Sequence, residues 1–268
     1  MPKGEKIVEF QFKEKYDVKD LVEIVRILRS PEGCPWDKVQ THQTIRQDFI
    51  EEVYEAVEAI DEENAEHLKE ELGDVLLQVV FHSVLEEEKG SFGLDDTADD
   101  VCKKMILRHP HVFGNVQADT PEQVLENWDK IKMQSKEQKS VTETMESVSK
   151  ALPSLMRAEK LHKKAEKGGL HAKDAESMID GISKKLESLK NSLSENQEND
   201  CSEKIGDILF DMSGLAKALD VESEKSLYNA CDRFIERFEK LEKNVGKAGI
   251  KIQNVSPEVV RILWEDEK

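Results

Sequence analysis

The chain has 268 residues, enough for one large or two small domains with buried cores, so a small disulfide-stabilised protein is excluded. Charged residues make up 36% of it and aromatic residues 6%, a composition that favours helices over sheets. Lys and Arg number 39 against 57 Asp and Glu, a net charge of −18 that disfavours a broad basic surface. We therefore expect an all-α protein that binds neither nucleic acid nor membrane.

The cysteines and the N-terminal segment bear on where the protein resides. The four cysteines are scattered without a Cys-x-x-Cys pair, which favours a reducing compartment over a disulfide framework or a zinc site. The segment up to Asp17 has charges and no apolar core, unlike a signal peptide. The longest apolar run, Val75–Leu85, is too short to cross a bilayer. These features predict a cytoplasmic protein.

The first half of the chain shows a series of helical patterns after a tail over residues 1–17. The predicted helices, in chain order, run from about Lys19 to Arg29, from about Thr44, from about Leu68 to Lys89, from Asp95 to Arg108, and from Pro121. Together they predict a first helical unit over residues 18–135. Residues 136–146 are polar and lack an apolar period, which predicts a linker.

The sequence after this linker repeats the first unit. Glu71–Leu77 aligns with Lys204–Phe210 at an offset of 133 residues (204 − 71). The same offset aligns Glu52–Glu55 with Lys185–Ser188. An internal duplication is the simplest explanation, so we expect a second, related helical unit over residues 147–268.

Carboxylates fall in register on two of the predicted helices. Apolar residues surround the third helix on nearly every side, so we expect it to be buried on most sides, yet Glu71, Asp74 and Gln78 share one narrow strip. On the second helix, Glu52 and Glu55 lie three residues apart at the edge of the apolar stripe. Buried carboxylates require a cationic partner. Antiparallel packing of the two helices would bring the four carboxylates together.

Oxygen ligands of this kind suit a hard divalent cation, Mg²⁺ or Mn²⁺, with open positions for water and a phosphate-bearing substrate. Such an ion clamps phosphate oxygens and lowers the pKa of water, while a carboxylate that is not fully engaged accepts the proton. The alternative is a solvated helix face, because 57 acidic residues in 268 produce four-carboxylate patterns by chance.

The second unit helps to decide between these interpretations. The positions of Glu51, Glu52, Glu55 and Glu71 hold Lys184, Lys185, Ser188 and Lys204, and Asp74 corresponds to Asp207. The apolar residues are retained while most carboxylates are replaced, so the fold itself does not require the acids. A functional role in the first unit is favoured.

Cationic residues recur on later helices of the first unit. Lys104 and Arg108 lie four residues apart on one face, and Trp128 and Lys132 repeat that spacing on the next helix. Ordinary surface charge beside a packed tryptophan is one interpretation. The other is a group that holds a triphosphate and stacks against a base. The second unit has analogues in Arg233, Arg237, Trp264 and Lys268.

Several motifs together resemble one known family over essentially residues 18–268. The motifs are Gly33–Asp37, Glu51–Glu55, Glu70–Asp74, Arg108–Phe113 and Trp128–Lys132, with Leu152–Ala158 in the second unit. In this combination and tandem order they resemble the MazG family of nucleoside triphosphate pyrophosphohydrolases.

The resemblance implies an all-α NTP pyrophosphatase fold, a homodimer whose helices form four-helix bundles, and Mg²⁺-dependent hydrolysis of NTP or dNTP to NMP or dNMP and diphosphate. The implied metal ligands are Glu52, Glu55, Glu71 and Asp74, with Glu51 assisting or acting as general base. The implied substrate contacts are Lys104, Arg108, Trp128 and Lys132. Because lysines replace most of the acids in the second unit, catalysis is assigned to the first unit and the second is expected to hold a degenerate metal site.

Two other classes of protein remain as alternatives. A ferritin-like dimetal protein needs two Glu-x-x-His units on different helices, and Glu159 with His162 supplies one. A non-catalytic helical scaffold or nucleotide-sensing protein would also have a composition rich in Glu and Lys. A scaffold predicts no metal-dependent turnover and no thermal stabilisation by Mg²⁺ with nucleotide.

Overall fold

The computed structural model describes residues 10–135, 138–171, 174–194, 198–247 and 249–266. Within these ranges the regular structure is helical and no strand occurs, so the all-α prediction is confirmed. None of the helices in this part of the chain has both the length and the apolar character that crossing a bilayer requires. The chain divides into two compact units, residues 1–131 and 132–268. The first nine residues of the predicted tail lie outside the described residues.

The described helices that begin in the first unit are α1 Val18–Arg29, α2 Arg46–Asp61, α3 Ala65–Glu87, α4 Leu94–Arg108, α5 Pro110–Phe113 and α6 Pro121–Ser135. The helix starts and ends predicted from the sequence agree with these bounds to within three residues. The short helix α5 was not predicted, and it begins at Pro110, where the fixed φ of proline suits the first helical position.

The core of the first unit lies between α1 and the C-terminal half of α3. Asp17 caps α1 by accepting hydrogen bonds from the backbone N–H groups of Lys19 and Asp20, 2.9 and 3.1 Å away. The buried apolar side chains of this core are Val22, Val25, Ile45, Val80, Phe81, Val84 and Leu85. Burial of these side chains holds α3 firmly at one end and leaves its N-terminal half outside this core.

The Gly33–Asp37 segment folds back onto the end of α1. A Cβ atom on Gly33 would lie 2.3 Å from the carbonyl oxygens of Ile27 and Leu28, so only glycine permits this close approach. The Arg29 guanidinium donates to the Asp37 carbonyl at 2.6 Å. The segment is therefore tied to α1 and positions the chain for the start of α2.

The prediction that α3 is buried on most sides is wrong at Leu72, in its N-terminal half. Leu72 is 53% exposed, and on the facing helix α2 Ile60 is 55% exposed. Sequence periodicity shows that a helix has an apolar surface. It does not show whether other parts of the same chain bury that surface. Here α1 packs beside the C-terminal half of α3, and Leu72, nearer the N-terminus of α3, remains open to solvent.

The second unit contains the helices α7 Val141–Glu146, α8 Ser154–Lys167, α9 Ala175–Ser194, α10 Glu198–Ala218, α11 Ser223–Lys247 and α12 Pro257–Asp266. Helix α7 lies within the stretch predicted as a linker. Ser140 caps it by accepting from the Glu143 N–H at 3.1 Å, and Thr144 is buried. A helix of six residues is too short to show an apolar period, so the sequence pattern does not reveal it.

The helix packing of the first unit recurs in the second. Helices α9 and α10 pack against each other as α2 and α3 do, and α8 packs on α10 as α1 packs on α3. Shifting α3 by 133 residues places its start, residue 65, at residue 198, where α10 begins. The internal repeat seen in the sequence thus corresponds to a repeated helical arrangement.

Candidate active site

The α2–α3 pair places the predicted metal ligands. The two helices are joined by a short turn in which Asn64 accepts from the His67 backbone N–H at 3.2 Å and so caps α3. Glu63 in this turn has a positive φ of 54°. The tight connection makes the helices antiparallel neighbours, which brings carboxylates from each helix to a shared face.

Three of the predicted ligands meet on that face. Carboxylate oxygens of Glu52, Glu55 and Glu71 lie within 4.8 Å of one another. Glu71 is only 8% exposed, and its Oε2 atom is buried without a hydrogen-bond partner among the described residues. Its Oε1 atom lies 3.2 Å from His67 Nε2. We call Glu52, Glu55, Glu71 and Asp74 the carboxylate cluster.

The electrostatics of the carboxylate cluster are those of crowded acids. Burial raises the pKa of Glu52, and repulsion from Asp74, Glu55 and Glu71 raises it further. Burial and repulsion from Glu55 and Asp74 also raise the pKa of Glu71, against an opposing effect of His67. Asp74 is therefore within electrostatic range of both residues. A cation placed among these oxygens would relieve the repulsion and partner the buried oxygen of Glu71.

Glu51 lies away from the other acids. Its side chain is exposed on α2 and accepts a hydrogen bond from Gln47 Nε2 at 3.2 Å, one turn earlier on the same helix. The role implied for Glu51 as an assisting residue or general base stays a prediction.

Two of the predicted substrate contacts lie together between α4 and α6. The Arg108 guanidinium lies 5.5 Å from the ring centroid of Trp128. His109 contacts the same ring edge-on at 4.9 Å, while its Nδ1 atom lies 2.6 Å from the Met105 carbonyl. Lys132 follows Trp128 by one turn of α6. This arrangement combines a cation with an aromatic surface, as contact with a nucleotide would require.

Lys104 has a different environment. It is exposed on α4 and lines a shallow surface groove together with Phe92, Asp96, Thr97, Asp100 and Val101. Acidic residues in this groove oppose the approach of a phosphate. The proposed substrate contact of Lys104 thus has less support from its surroundings than that of Arg108.

Sequence reasoning placed no histidine beside the carboxylates, and the structure places His67 there. His67 lies one helical turn before Glu71, so its spacing alone could have indicated the contact. Its Nδ1 atom lies 3.1 Å from Glu62, and this contact raises the pKa of His67. His67 therefore bridges the turn and the carboxylate cluster.

A second histidine group near the end of α3 also escaped sequence reasoning. His42 Nδ1 lies 2.7 Å from His82 Nδ1, and His42 Nε2 lies 2.6 Å from Glu86 Oε1. Burial and the neighbouring His42 lower the pKa of His82. Hydrogen bonds from Lys89 and His42 lower the pKa of Glu86 to about 2. The contact joins residues forty positions apart, which no local pattern reveals.

The corresponding helix pair of the second unit carries lysines in place of Glu52 and Glu71. Lys185 Nζ lies 2.6 Å from Asp211, and Lys204 Nζ lies 2.7 Å from Asp200. Lys204 also donates to Ser192 Oγ at 2.5 Å. The lysines that replace Glu52 and Glu71 are thus neutralised within their own unit.

Comparisons with known proteins identify the family of this chain. A family model described as the MazG nucleotide pyrophosphohydrolase domain matches residues 40–113, a stretch that contains the whole carboxylate cluster. A Thermotoga maritima protein named nucleoside triphosphate pyrophosphohydrolase/pyrophosphatase MazG is 39% identical over 250 residues, which cover 93% of this chain and 95% of that protein.

Two further relatives span similar lengths of this chain. The nucleoside triphosphate pyrophosphohydrolase of Escherichia coli (strain K12) is 33% identical over 251 residues, which cover 92% of this chain and 95% of that protein. The uncharacterized protein YabN of Bacillus subtilis is 40% identical over 248 residues, 91% of this chain and 50% of that protein. The Thermotoga and Escherichia proteins are 39% and 33% identical to this chain over nearly the full length of both partners. The chain therefore belongs to the MazG family of nucleoside triphosphate pyrophosphohydrolases.

Proposed function

We propose that the first unit hydrolyses nucleoside triphosphates, converting NTP or dNTP and water to NMP or dNMP and diphosphate with Mg²⁺ as cofactor, Mn²⁺ being a possible substitute. The observation that carries this proposal is the convergence of Glu52, Glu55 and Glu71 oxygens within 4.8 Å. The names of the Thermotoga and Escherichia relatives support the same reaction.

The donor set fits a hard divalent ion. Glu52, Glu55 and Glu71, with Asp74 beside them, would hold it, because they offer only oxygen atoms and because Glu71 Oε2 is buried without a hydrogen-bond partner among the described residues. When bound, such an ion supplies positive charge for the phosphate oxygens and lowers the pKa of a water molecule. Burial and mutual repulsion raise the pKa values of Glu52 and Glu71, and a cation bound among their oxygens would offset both effects.

The protein residues then bind, orient and move a proton. In the reaction a bond forms between water oxygen and phosphorus, and a phosphoanhydride P–O bond breaks to release diphosphate. A carboxylate that is not fully engaged with the ion accepts the proton of the water. Glu51 is the acceptor that the family resemblance implies, and its exposed position gives it contact with solvent water.

Arg108 and Trp128 are proposed as the main substrate contacts, with Lys132 and Lys104 beside them. Arg108 is half-buried, so its charge is less screened than that of an exposed lysine, and a guanidinium binds phosphate oxygens in a bidentate manner. The Trp128 ring offers a flat apolar surface for a base.

We assign catalysis to the unit proposed at residues 18–135 and a non-catalytic role to the unit at 147–268. In the latter, Lys185 and Lys204 stand where Glu52 and Glu71 stand in the first unit. Lys185 pairs with Asp211 and Lys204 with Asp200, and no carboxylate group suited to a divalent ion was found among the described residues of this unit.

We further propose a homodimer in which a second copy covers the open face of α2 and α3. The apolar side chains exposed there are Val53, Tyr54, Val57, Ile60 and Leu72. Apolar residues in such numbers favour a protein partner over solvent. Light scattering should give twice the chain mass, and Ile60→Glu should give a monomer; a monomeric unmodified chain would contradict this part of the proposal.

A product assay tests the proposed reaction. The purified full chain is incubated with Mg²⁺ and a panel of NTPs and dNTPs, and the products are identified. We expect NMP or dNMP with diphosphate, and no turnover after chelation of the metal. Formation of NDP and phosphate would refute the reaction type. Nucleotide binding without turnover would favour a sensing protein, and neither binding nor turnover would favour a scaffold.

A further inference from the structure

Gln78 extends the line of polar residues on α3 beyond the carboxylate cluster. It follows Asp74 by one helical turn and Glu71 by two, which places it on the same face roughly 10 Å along the axis from Glu71. The residue is only 8% exposed. Its Oε1 atom is buried and has no hydrogen-bond partner among the described residues. A buried amide oxygen without a donor is unfavourable, so its retention requires an explanation.

The repeated helix pair of the second unit shows what the Gln78 position faces. Asp211 occupies that position in α10, since it stands 133 residues after Gln78 (211 − 78). Asp211 lies 2.6 Å from Lys185, the counterpart of Glu52. Because α9 and α10 pack as α2 and α3 do, the Lys185–Asp211 pair indicates by analogy that Gln78 lies on the side of α3 that faces Glu52.

The chemistry of these neighbours explains why the amide oxygen has no partner. The groups of the carboxylate cluster are acceptors, so none of them donates a hydrogen bond to Gln78 Oε1 when ionised. A hydrated divalent cation brings water molecules whose hydrogens are oriented away from the ion. The O–H groups of such water molecules can donate hydrogen bonds to an amide oxygen at this position.

We propose that Gln78 is a positioning residue of the metal site, whose amide oxygen accepts a hydrogen bond from a water of the bound ion's hydration shell. The inference rests on the proposed function and deepens it, since it adds an uncharged acceptor to the four carboxylates. Gln78 supplies no charge to the ion. It favours an ion that keeps part of its hydration shell, and its hydrogen bond would orient one water of that shell toward Glu52.

Metal binding without nucleotide tests this role. Mn²⁺ is titrated into the full-length chain by calorimetry, and thermal unfolding of the metal-free chain is measured in parallel. Gln78→Met keeps the length of the side chain and removes its acceptor, so we expect Mn²⁺ affinity to fall by about tenfold. The metal-free unfolding midpoint should stay unchanged or rise, because an unpartnered buried oxygen is lost. Gln78→Glu keeps an acceptor and should retain affinity near that of the unmodified chain.

Ser83→Ala is the matched control. Ser83 is buried on the same helix, but its hydroxyl donates to the Val79 carbonyl at 2.8 Å, so its loss should leave Mn²⁺ affinity unchanged. Unchanged Mn²⁺ affinity in Gln78→Met, or equal losses in Gln78→Met and Ser83→Ala, would overturn the role of Gln78 while leaving the carboxylate site in place. An unmodified chain that binds no Mn²⁺ would overturn both the role and the proposed function. Should Gln78→Met fail to fold, Gln78→Leu gives the same comparison.

Discussion

The helix pairs α2–α3 and α9–α10 have the same packing and neutralise their charges in different ways. In α9–α10, Lys185 is paired with Asp211 and Lys204 with Asp200, at 2.6 and 2.7 Å. In α2–α3, the Glu71 carboxylate keeps one buried oxygen without a hydrogen-bond partner in the part of the chain that the structure describes. One helix pair therefore satisfies its charges internally, and the other leaves negative charge to be satisfied from outside.

The difference teaches that the fold does not depend on the sign of these charges. Burying a charge without a partner is costly, and a protein with no use for the carboxylate cluster would gain stability by pairing or replacing it. The second unit shows such a replacement on the same scaffold. The first unit retains its crowded acids, with raised pKa values for Glu52 and Glu71, which is the pattern expected where stability is given up for a binding site.

The largest expected effect comes from removing the charge of Glu71. Glu71→Gln should lower turnover by at least about a hundredfold, because a lost metal ligand removes several kcal/mol of charge stabilisation. The variant should fold, with a metal-free unfolding midpoint equal to or above that of the unmodified chain, since one of the repelling carboxylates is gone. Diphosphate release and thermal unfolding with and without Mg²⁺ measure these effects.

Lys204→Gln is the control for Glu71→Gln, because it removes the charge at the same position of the second unit. Turnover should stay within about twofold of the unmodified chain, since catalysis is assigned to the first unit and this residue lies in the second. A large loss of turnover in Lys204→Gln would show that the second unit takes part in catalysis and would reverse the assignment of the active unit.

A smaller effect is expected at the arginine–tryptophan pairs, which both units retain. Arg108 lies 5.5 Å from the Trp128 ring centroid, and Arg237 lies 3.9 Å from that of Trp264. Arg108→Gln should raise KM for nucleotide about tenfold, the effect of losing a charge-assisted hydrogen bond. The affinity of the variant for Mg²⁺ should equal that of the unmodified chain. Arg237→Gln should lower the unfolding midpoint and leave KM unchanged. If Arg108→Gln changes stability alone, the pair serves the fold in both units.

The sequence was sufficient for the fold class and for the helices of the first unit because those helices are long and periodic. The convergence of Glu52, Glu55 and Glu71 was also predictable, since Glu52 and Glu55 share a face of one helix and Glu71 lies on the next. The contact between His67 and Glu71 follows from spacing of one turn and was overlooked.

Other features could not be derived from local patterns. The His42–His82 contact depends on how a loop returns to α3, and α7 is too short to have a period. The exposure of Leu72 also escaped prediction, because an apolar stripe does not reveal whether its own chain or another covers it. In the second unit, Lys185 and Lys204 were recognised as replacements, but their pairing with aspartates required the three-dimensional arrangement.

A modest loss of stability is expected in Lys204→Gln. The lysine joins α10 to α9 through Ser192 Oγ and the Ser188 carbonyl, at 2.5 and 3.3 Å, and it pairs with Asp200. Its removal should destabilise the second unit by about 1 kcal/mol, the usual value for one partly exposed polar interaction. Chemical denaturation measures the change. An increase in stability would show that the lysine is not the internal counterion of this helix pair.

The smallest expected effect concerns the pH dependence of the first unit alone. The position of His82 corresponds to Leu215 in the second unit (82 + 133), so the histidine pair has no counterpart there. Burial and His42 hold the pKa of His82 below its ordinary value of 6.5, so the unfolded chain binds a proton more readily and stability falls as the pH drops through 6.5.

The other groups that face this pair do not change over the same interval. Glu86 contacts His42 and has a pKa of about 2, so its contribution is lost only at far lower pH, and Phe49 packs on His82 without titrating. His82→Leu should therefore show a smaller drop in unfolding midpoint than the unmodified chain between about pH 7.5 and about pH 5.5. Thermal unfolding at both pH values gives this difference directly. An equal drop in both proteins would place the pH sensitivity elsewhere and remove this distinction between the two units.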